Sequence, residues 1–383
     1  MIAPKLRFSE FKGEWNEKLL SDFTTFSKGK GLSKSDIVKN GKNPCIRYGE
    51  LYTTYGSIIS ETISYTNLDK NNCVLSKKNQ IIIPSSGETQ IDIATASCIL
   101  SDDIILGGDL NILTTNENGI FLAYYLSSAK KNDIAQLAQG NSVVHLYAKE
   151  LATLKINYPS KEEQTKIAEF LSAVDDKISQ LSRQLELLNQ YKKGVMQKIF
   201  SQEIRFKNDN GEDFGEWEED SLGNLCSITT GKLDANAMVE NGKYRFYTCA
   251  REYYYINNFA FDTDALLISG NGANVGYIHH YNGKFNAYQR TYVLDNWKQN
   301  IIYIKYFLEM FLKKRINDGK NEGNTPYIVL SVLSEMPIKL PSIQEQEKIA
   351  EFLTAIDERI NHTTAQLTHT KQWKKGLLQQ MFV

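Results

Sequence analysis

Three stretches of this 383-residue chain concentrate side chains that can pair with a nucleic acid. They are Arg47-Tyr48-Gly49-Glu50-Leu51-Tyr52-Thr53-Thr54-Tyr55, the run from Tyr244 to Tyr255 with Arg245 and Arg251 inside it, and Gln289-Arg290-Thr291. Arg, Gln, Asn, Ser, Thr and Glu reach base edges or phosphates through hydrogen bonds, and tyrosine hydroxyls reach phosphates. The plainer use of the same residues stays open, because Tyr and Thr are also what β-strands prefer. Charge does not decide the matter: 44 basic residues face 45 acidic ones, which counts against a strongly basic nucleic-acid binder.

Signatures of catalysis are missing. Gly270-Asn271-Gly272-Ala273-Asn274-Val275-Gly276 follows a strand-like run, but its spacing is not that of a dinucleotide loop. The next residues, Tyr277-Ile278-His279-His280-Tyr281, alternate like a second strand, so a hairpin turn is expected. There is no phosphate loop, no nucleophile elbow and no methylase signature. His145, His279, His280, His362 and His369 have no partners at zinc-ligand spacing. The chain does not read as an enzyme by itself.

The elements that must position these residues come from a duplication. Pro159 to Phe200 matches Pro341 to Phe382 without a gap at an offset of 182, with about half of the positions identical. The openings of the halves also match: Arg7-Phe8 recurs as Arg205-Phe206, Gly13-Glu14-Trp15 as Gly215-Glu216-Trp217, and Gly29-Lys30 as Gly231-Lys232. A third match pairs Gly140-Asn141-Ser142 with Gly323-Asn324-Thr325. In the first copy Ile167, Leu171, Val174, Ile178, Leu181, Leu185 and Leu188 alternate at spacings of four and three, the seam of a coiled coil, and the rhythm continues through Lys192 to Val195 and Ile199. The second copy is more polar, with Thr363, Thr370 and Lys374 on the seam. Ser160 and Ser342 are expected helix N-caps, with Glu163 and Glu345 at the capping-box position. Helices of about 37 residues, ~55 Å long, need a partner along their length. The nearest candidate is the duplicate, paired antiparallel; the alternative is that each helix packs only on its own domain.

Between the helical copies lie segments of mixed character. Gln80 to Gly87 and Ala265 to Gly272 read as a buried strand ending in a polar loop, and Ile120–Ala129 and Ile301–Lys314 as helices. The expected fold is α+β: two domains with curved β-sheets, separated by two long helices forming an antiparallel coiled coil, with an internal pseudo-two-fold repeat. The boundaries are 1–158, 159–202, 203–340 and 341–383. No apolar run approaches the ~20 residues of a membrane span, Met1 to Ser9 has no apolar signal core, and five scattered cysteines suit reduced thiols in a cytoplasm.

This organisation resembles the specificity (S) subunit of type I restriction–modification enzymes. Leu154 to Ile167 and Met336 to Ile349, each carrying Pro-Ser…Glu-Gln before Ile-Ala-Glu-Phe-Leu, are similar to the segment that opens each of that family's conserved helices; Tyr48-Gly49-Glu50-Leu51 also fits. The resemblance implies that each target-recognition domain reads one half of a split double-stranded DNA site while the helices set the unread spacer. It implies two modification (M) subunits docked on this chain, carrying S-adenosylmethionine and methylating adenine, and restriction (R) subunits joining them. No cofactor is expected on this chain and no membrane. Candidate contacts are the loops after matching strands: Tyr48, Glu50, Tyr52, Thr53, Ser85, Ser86, Thr89, Asn141 and Ser142 in the first domain. In the second they are Thr248, Arg251, Ser269, Asn271, Gln289, Arg290, Thr291, Asn324 and Thr325. Arg251 and Arg290 are the candidates for bidentate guanine contacts. The polar seam of the second helix is either a docking surface for a modification subunit or a weaker coil. The competing reading is a protein-interaction scaffold presenting two binding domains at a fixed spacing.

Overall fold

A computed structural model describes residues 3–140, 142–318 and 327–383. The chain forms two compact units, Met1–Ser182 with Ala365–Val383, and Arg183–Thr364. Each is built on a central apolar strand. In the first unit Ile81–Pro84 lies inside a five-stranded sheet in the order Thr24–Lys28, Leu110–Thr115, Ile81–Pro84, Ser97–Ile99, Ile58–Ile59. In the second, Phe261–Ser269 lies inside a six-stranded sheet in the order Ser227–Thr230, Thr291–Asp295, Phe261–Ser269, Ile278–Ala287, Tyr244–Tyr247, Tyr254–Ile256. Side chains alternate across a strand, so each central strand feeds two cores. Ile81 and Ile83 join the core that also holds the helices, while Ile82 packs with Ile46, Leu51 and Ile112 on the other face. Leu266 and Ile268 divide from Ala265 and Leu267 in the same way. This double burial is why both strands read as continuous apolar runs rather than alternating ones.

The chain enters and leaves each domain on paired strands: Asn16–Leu19 is antiparallel to Lys155–Tyr158, and Glu218–Ser221 to Pro337–Leu340. The exit strand leads at once into a long helix. The first runs Lys161–Phe200, 40 residues, and the second Ile343–Gln380, 38 residues. Ser160 and Ser342 cap them through their hydroxyls, 3.4 and 3.3 Å from the amide nitrogens of Glu163 and Glu345.

The helices do not pack each on its own domain alone. The core of the first unit takes Ile167, Leu171 and Val174 from the start of the first helix together with Leu377 and Met381 from the end of the second, and Phe382 beyond it. The core of the second unit takes Val195, Ile199 and Phe200 from the end of the first together with Ile349, Leu353 and Ile356 from the start of the second. That order of contacts is the order of an antiparallel pair. Phe200 shows what fixes it: its ring sits 5.4–5.9 Å from those of Tyr303, Phe307 and Phe311, a burial that contributes ~2–3 kcal/mol. The equivalent Phe382 meets Phe121 and Tyr125 at 5.6 and 5.5 Å.

The polar seam resolves residue by residue. Thr363 is buried and its hydroxyl donates to the Arg359 carbonyl at 2.8 Å, so it needs no partner from outside. Thr370 does the same with Gln366 at 2.7 Å. Lys374 and Lys192 are ion-paired, as described below.

Candidate nucleic-acid interface

The repeated motifs turn out to anchor each domain to the long helices. Arg7 Nε and Nη2 each donate at 2.7 Å to the Glu163 carboxylate, and Nη1 donates to the Gly13 carbonyl at 2.6 Å. Arg205 repeats this on Glu345 at 3.1 and 2.7 Å and on the Gly215 carbonyl at 2.7 Å. The two carboxylates are 2% and 0% exposed, and hydrogen bonding to them holds both guanidiniums above their ordinary pKa. The expected capping box is therefore only half made: the serine caps the helix, while an arginine takes the glutamate. Phe8 and Phe206, next to these arginines, pack edge-on against Phe170 and Phe352. Gln164 and Gln346 donate to the Pro159 and Pro341 carbonyls, and their side-chain oxygens accept from the amides of Asn118 and Asn300.

Asn118 and Asn300 in turn cap the domain helices Gly119–Ser127 and Ile301–Asp318. From these helices Tyr124 donates to Asp175 at 2.6 Å, and Tyr306 to Asp357 at 2.8 Å. Burial, with the aspartates adding to it, pushes both phenols far above the ordinary tyrosine pKa. Sequence reasoning missed this set. Its signal was present: the offset of 182, continued upstream of Pro159, pairs Asn118 with Asn300 and Tyr124 with Tyr306.

With the anchors fixed, the loops of the two domains correspond through a matching set of backbone hydrogen bonds. Gly29 and Gly231 amides donate to Leu110 and Thr291; Gly107 and Tyr288 to Ile46 and Tyr247; Ser85 and Gly270 to Asp109 and Arg290; Leu146 and Ile328 to Ser85 and Gly270. A Cβ on Gly29 or Gly231 would overlap the carbonyl of Gly107 or Ala287, which explains the recurring glycine. The predicted hairpin is also there, Ile268 pairing with Ile278 and Gly272 and Gly276 adopting φ of +80° and +81° in the turn.

In the second domain the structure gathers Asn271, Gln289 and Arg290 on one groove of about 590 Å³, with Thr230, Tyr292 and the 62%-exposed Tyr327. Gln289 is held by Asp234 at 2.9 Å, and Arg290 is exposed with no ion pair or side-chain hydrogen bond among the described residues. Arg251 stands apart, exposed on a second groove of about 540 Å³, its guanidinium 5.5 Å from the Tyr277 ring centroid and 3.4 Å from Asn274 Oδ1. Thr248, Ser269 and Thr291 are buried instead. Thr248 Oγ1 accepts from Ala250, and the Ser269 and Thr291 hydroxyls, opposite each other across adjacent strands, have no hydrogen-bond partner among the described residues. Their side chains face a core rather than the surface, because the residue at a strand end keeps the pleat's alternation.

The first-domain candidates do not gather. Tyr48, Glu50, Tyr52 and Thr53 lie on a short helix, Tyr48–Thr53, not on a loop. Glu50 is 5% exposed and accepts from Ser64 at 2.6 Å and the Arg47 amide at 3.1 Å, so its carboxylate is consumed inside the domain. Thr53 is exposed and back-bonds to Gly49; Tyr48 and Tyr52 are half-buried. Ser85 and Ser86 are buried, Ser86 in a two-residue strand paired with His145. Thr89 caps the turn Gln90–Ile93 and bonds Asp92, and Ser142 is exposed. Asn141, Asn324 and Thr325 lie outside the described residues. Among the described residues no group of His, Cys, Asp or Glu is arranged to hold a metal ion, and no helix is long and apolar enough to cross a membrane.

Comparison with known proteins gives one consistent answer. The family described as "Type I restriction modification DNA specificity domain" matches residues 12–190 and 215–369. The EcoDI specificity subunit of Escherichia coli is 40% identical over 165 residues, which is 43% of this chain and 36% of that protein. A putative type I specificity subunit of Mycoplasma genitalium is 23% identical, the match covering 100% of this chain and 97% of that one. The MjaVIII specificity subunit of Methanocaldococcus jannaschii is 25% identical over 95% and 91%. In fold, the chain is similar to the crystal structure of a type I restriction–modification S subunit from M. genitalium, with a TM-score of 0.72 and 18% identity across 100% and 99% of the two chains.

Proposed function

Since the chain belongs to the type I restriction–modification DNA specificity family, whose members are non-catalytic specificity subunits, we propose that it reads a bipartite double-stranded DNA site, one half with each domain. One observation carries this reading. The two domains share their helix anchors residue for residue, Arg7 with Arg205 and Tyr124 with Tyr306, while the exposed loop residues at equivalent backbone positions differ. Two copies of one mounting with different faces suit two different half-sites. On this reading residues 1–158 and 203–340 are the target-recognition domains. The helices of 40 and 38 residues, each about 60 Å at ~1.5 Å per residue, set the unread spacer. Asn271, Gln289, Arg290 and Arg251 are the contacts in one half; Thr53 and Ser142 are the exposed candidates in the other.

Two modification subunits then dock on the helices and domains and bring the S-adenosylmethionine, this chain binding no cofactor of its own, and restriction subunits join them in the cytoplasm. Much of the phosphate contact falls to those partners, consistent with a chain of net charge −1. The test is to express the chain with its modification subunit and sequence the modified bases of the host. A bipartite adenine-methylated motif supports the reading; unmodified DNA despite an assembled complex favours a protein-binding scaffold.

A further inference from the structure

Resting on that DNA-reading function, we infer that Asp109 and Arg290 are equivalent specificity-determining residues of opposite preference: Arg290 takes the guanine O6/N7 edge in one half-site, and Asp109 the cytosine N4 amino group in the other. Their equivalence is set by backbone. The carbonyl of each accepts from the residue that follows its domain's central strand or closes it, Ser85 for Asp109 and Gly270 for Arg290. The next residue of each lies opposite matching positions, Leu110 with Pro84 and Thr291 with Ser269. Both side chains are exposed, and neither has an ion pair or hydrogen bond among the described residues. Other polar candidates are not free in this way: the Glu50 carboxylate is buried and the Gln289 amide is held by Asp234. Gly107 and Gly108 precede Asp109, so no neighbouring side chain on that turn screens its carboxylate.

The opposite signs decide the kind of contact. A position lying against the sugar–phosphate backbone favours cations and repels a free carboxylate. A position facing base edges in the major groove accommodates either sign, because guanine offers two acceptors and cytosine a donor. Of these two arrangements against DNA, only the second accommodates both an arginine and an aspartate at one structural position. Asp109 belonged to no motif in the sequence; the strand register alone brings it into line with Arg290.

The experiment compares wild type, Asp109→Ala, Asp109→Asn, Arg290→Ala and Arg290→Lys, each co-expressed with the modification subunit, by sequencing modified bases and by binding to site variants across a salt series. Arg290→Ala and Arg290→Lys are expected to relax one G·C position in one half-site by roughly 5- to 150-fold, since lysine cannot make the paired contact. Asp109→Ala is expected to relax one position in the other half, and Asp109→Asn to move it toward adenine. Thermal unfolding checks that each variant is folded; the isosteric asparagine stands in if the alanine is not. The inference is overturned if Arg290→Ala weakens all sequences equally with a shallower salt dependence, if Asp109→Ala tightens all equally, or if a normal wild-type motif is left unchanged by the variants. A wild type that yields no bipartite motif sinks the DNA-reading function itself.

Discussion

The Lys374 ammonium on the second long helix lies 2.5 Å from the Asp175 carboxylate on the first, over the Tyr124 ring at 5.3 Å. The duplicate of this arrangement is Lys192 with Asp357, 2.7 Å apart, over Tyr306 at 4.9 Å. Each lysine thus leaves its own copy of the repeat to pair with the aspartate of the other. A charged residue on an apolar seam has a reason: it joins two helices and a domain through one carboxylate, which also accepts the tyrosine hydroxyl.

Replacing Lys374 by Met leaves Asp175 and Tyr124 in place without the cation. Lys374 and Asp175 side chains are 22% and 29% exposed, so water softens the loss, and a destabilisation of about 1–2 kcal/mol is expected. A double-mutant cycle with Asp175→Asn, followed by urea unfolding, should return a coupling of ~1 kcal/mol. Strict additivity would mean that the pair contributes nothing.

Arg7→Ala strands a carboxylate that is only 2% exposed, and the cost should be larger, about 3 kcal/mol. Arg7→Lys should recover only part of it, because an ammonium cannot make the forked contact. The same pair of substitutions at Arg205 is expected to behave alike on Glu345. Denaturant midpoints measure both; an innocuous Arg7→Ala would show the anchor to be decorative.

His279 supplies a pH dependence. Burial depresses its pKa below the ordinary 6.5, with its Nε2 3.0 Å from the Ala250 carbonyl. A base whose folded pKa is lowered is protonated first in the unfolded chain. Its contribution is therefore complete above about pH 6.5 and is lost as the pH falls from there toward the folded pKa, with a slope of at most ~1.4 kcal/mol per pH unit. Thermal unfolding between pH 7.5 and 5 should show this loss and His279→Gln should reduce it. An unchanged slope in the variant would assign it to another group.

The sequence by itself determined the parts that depend on short-range periodicity. Ile167 to Ile199 spell a helical seam because 3.6 residues make a turn, Ser160 and Ser342 announce caps, and Gly272 and Gly276 announce the hairpin. The 182-residue offset announced two domains on one plan. What only the tertiary structure decided is which polar side chains remain free. Glu50, Ser269 and Thr291 have the chemistry of base readers but sit inside, whereas Asp109 has no motif and stands outside, with no ion pair or side-chain hydrogen bond among the described residues. Residue type states what a group can bond to, but availability depends on partners distant in sequence, such as Ser64 for Glu50 or Glu163 for Arg7, and those are assigned only when the strands find their register.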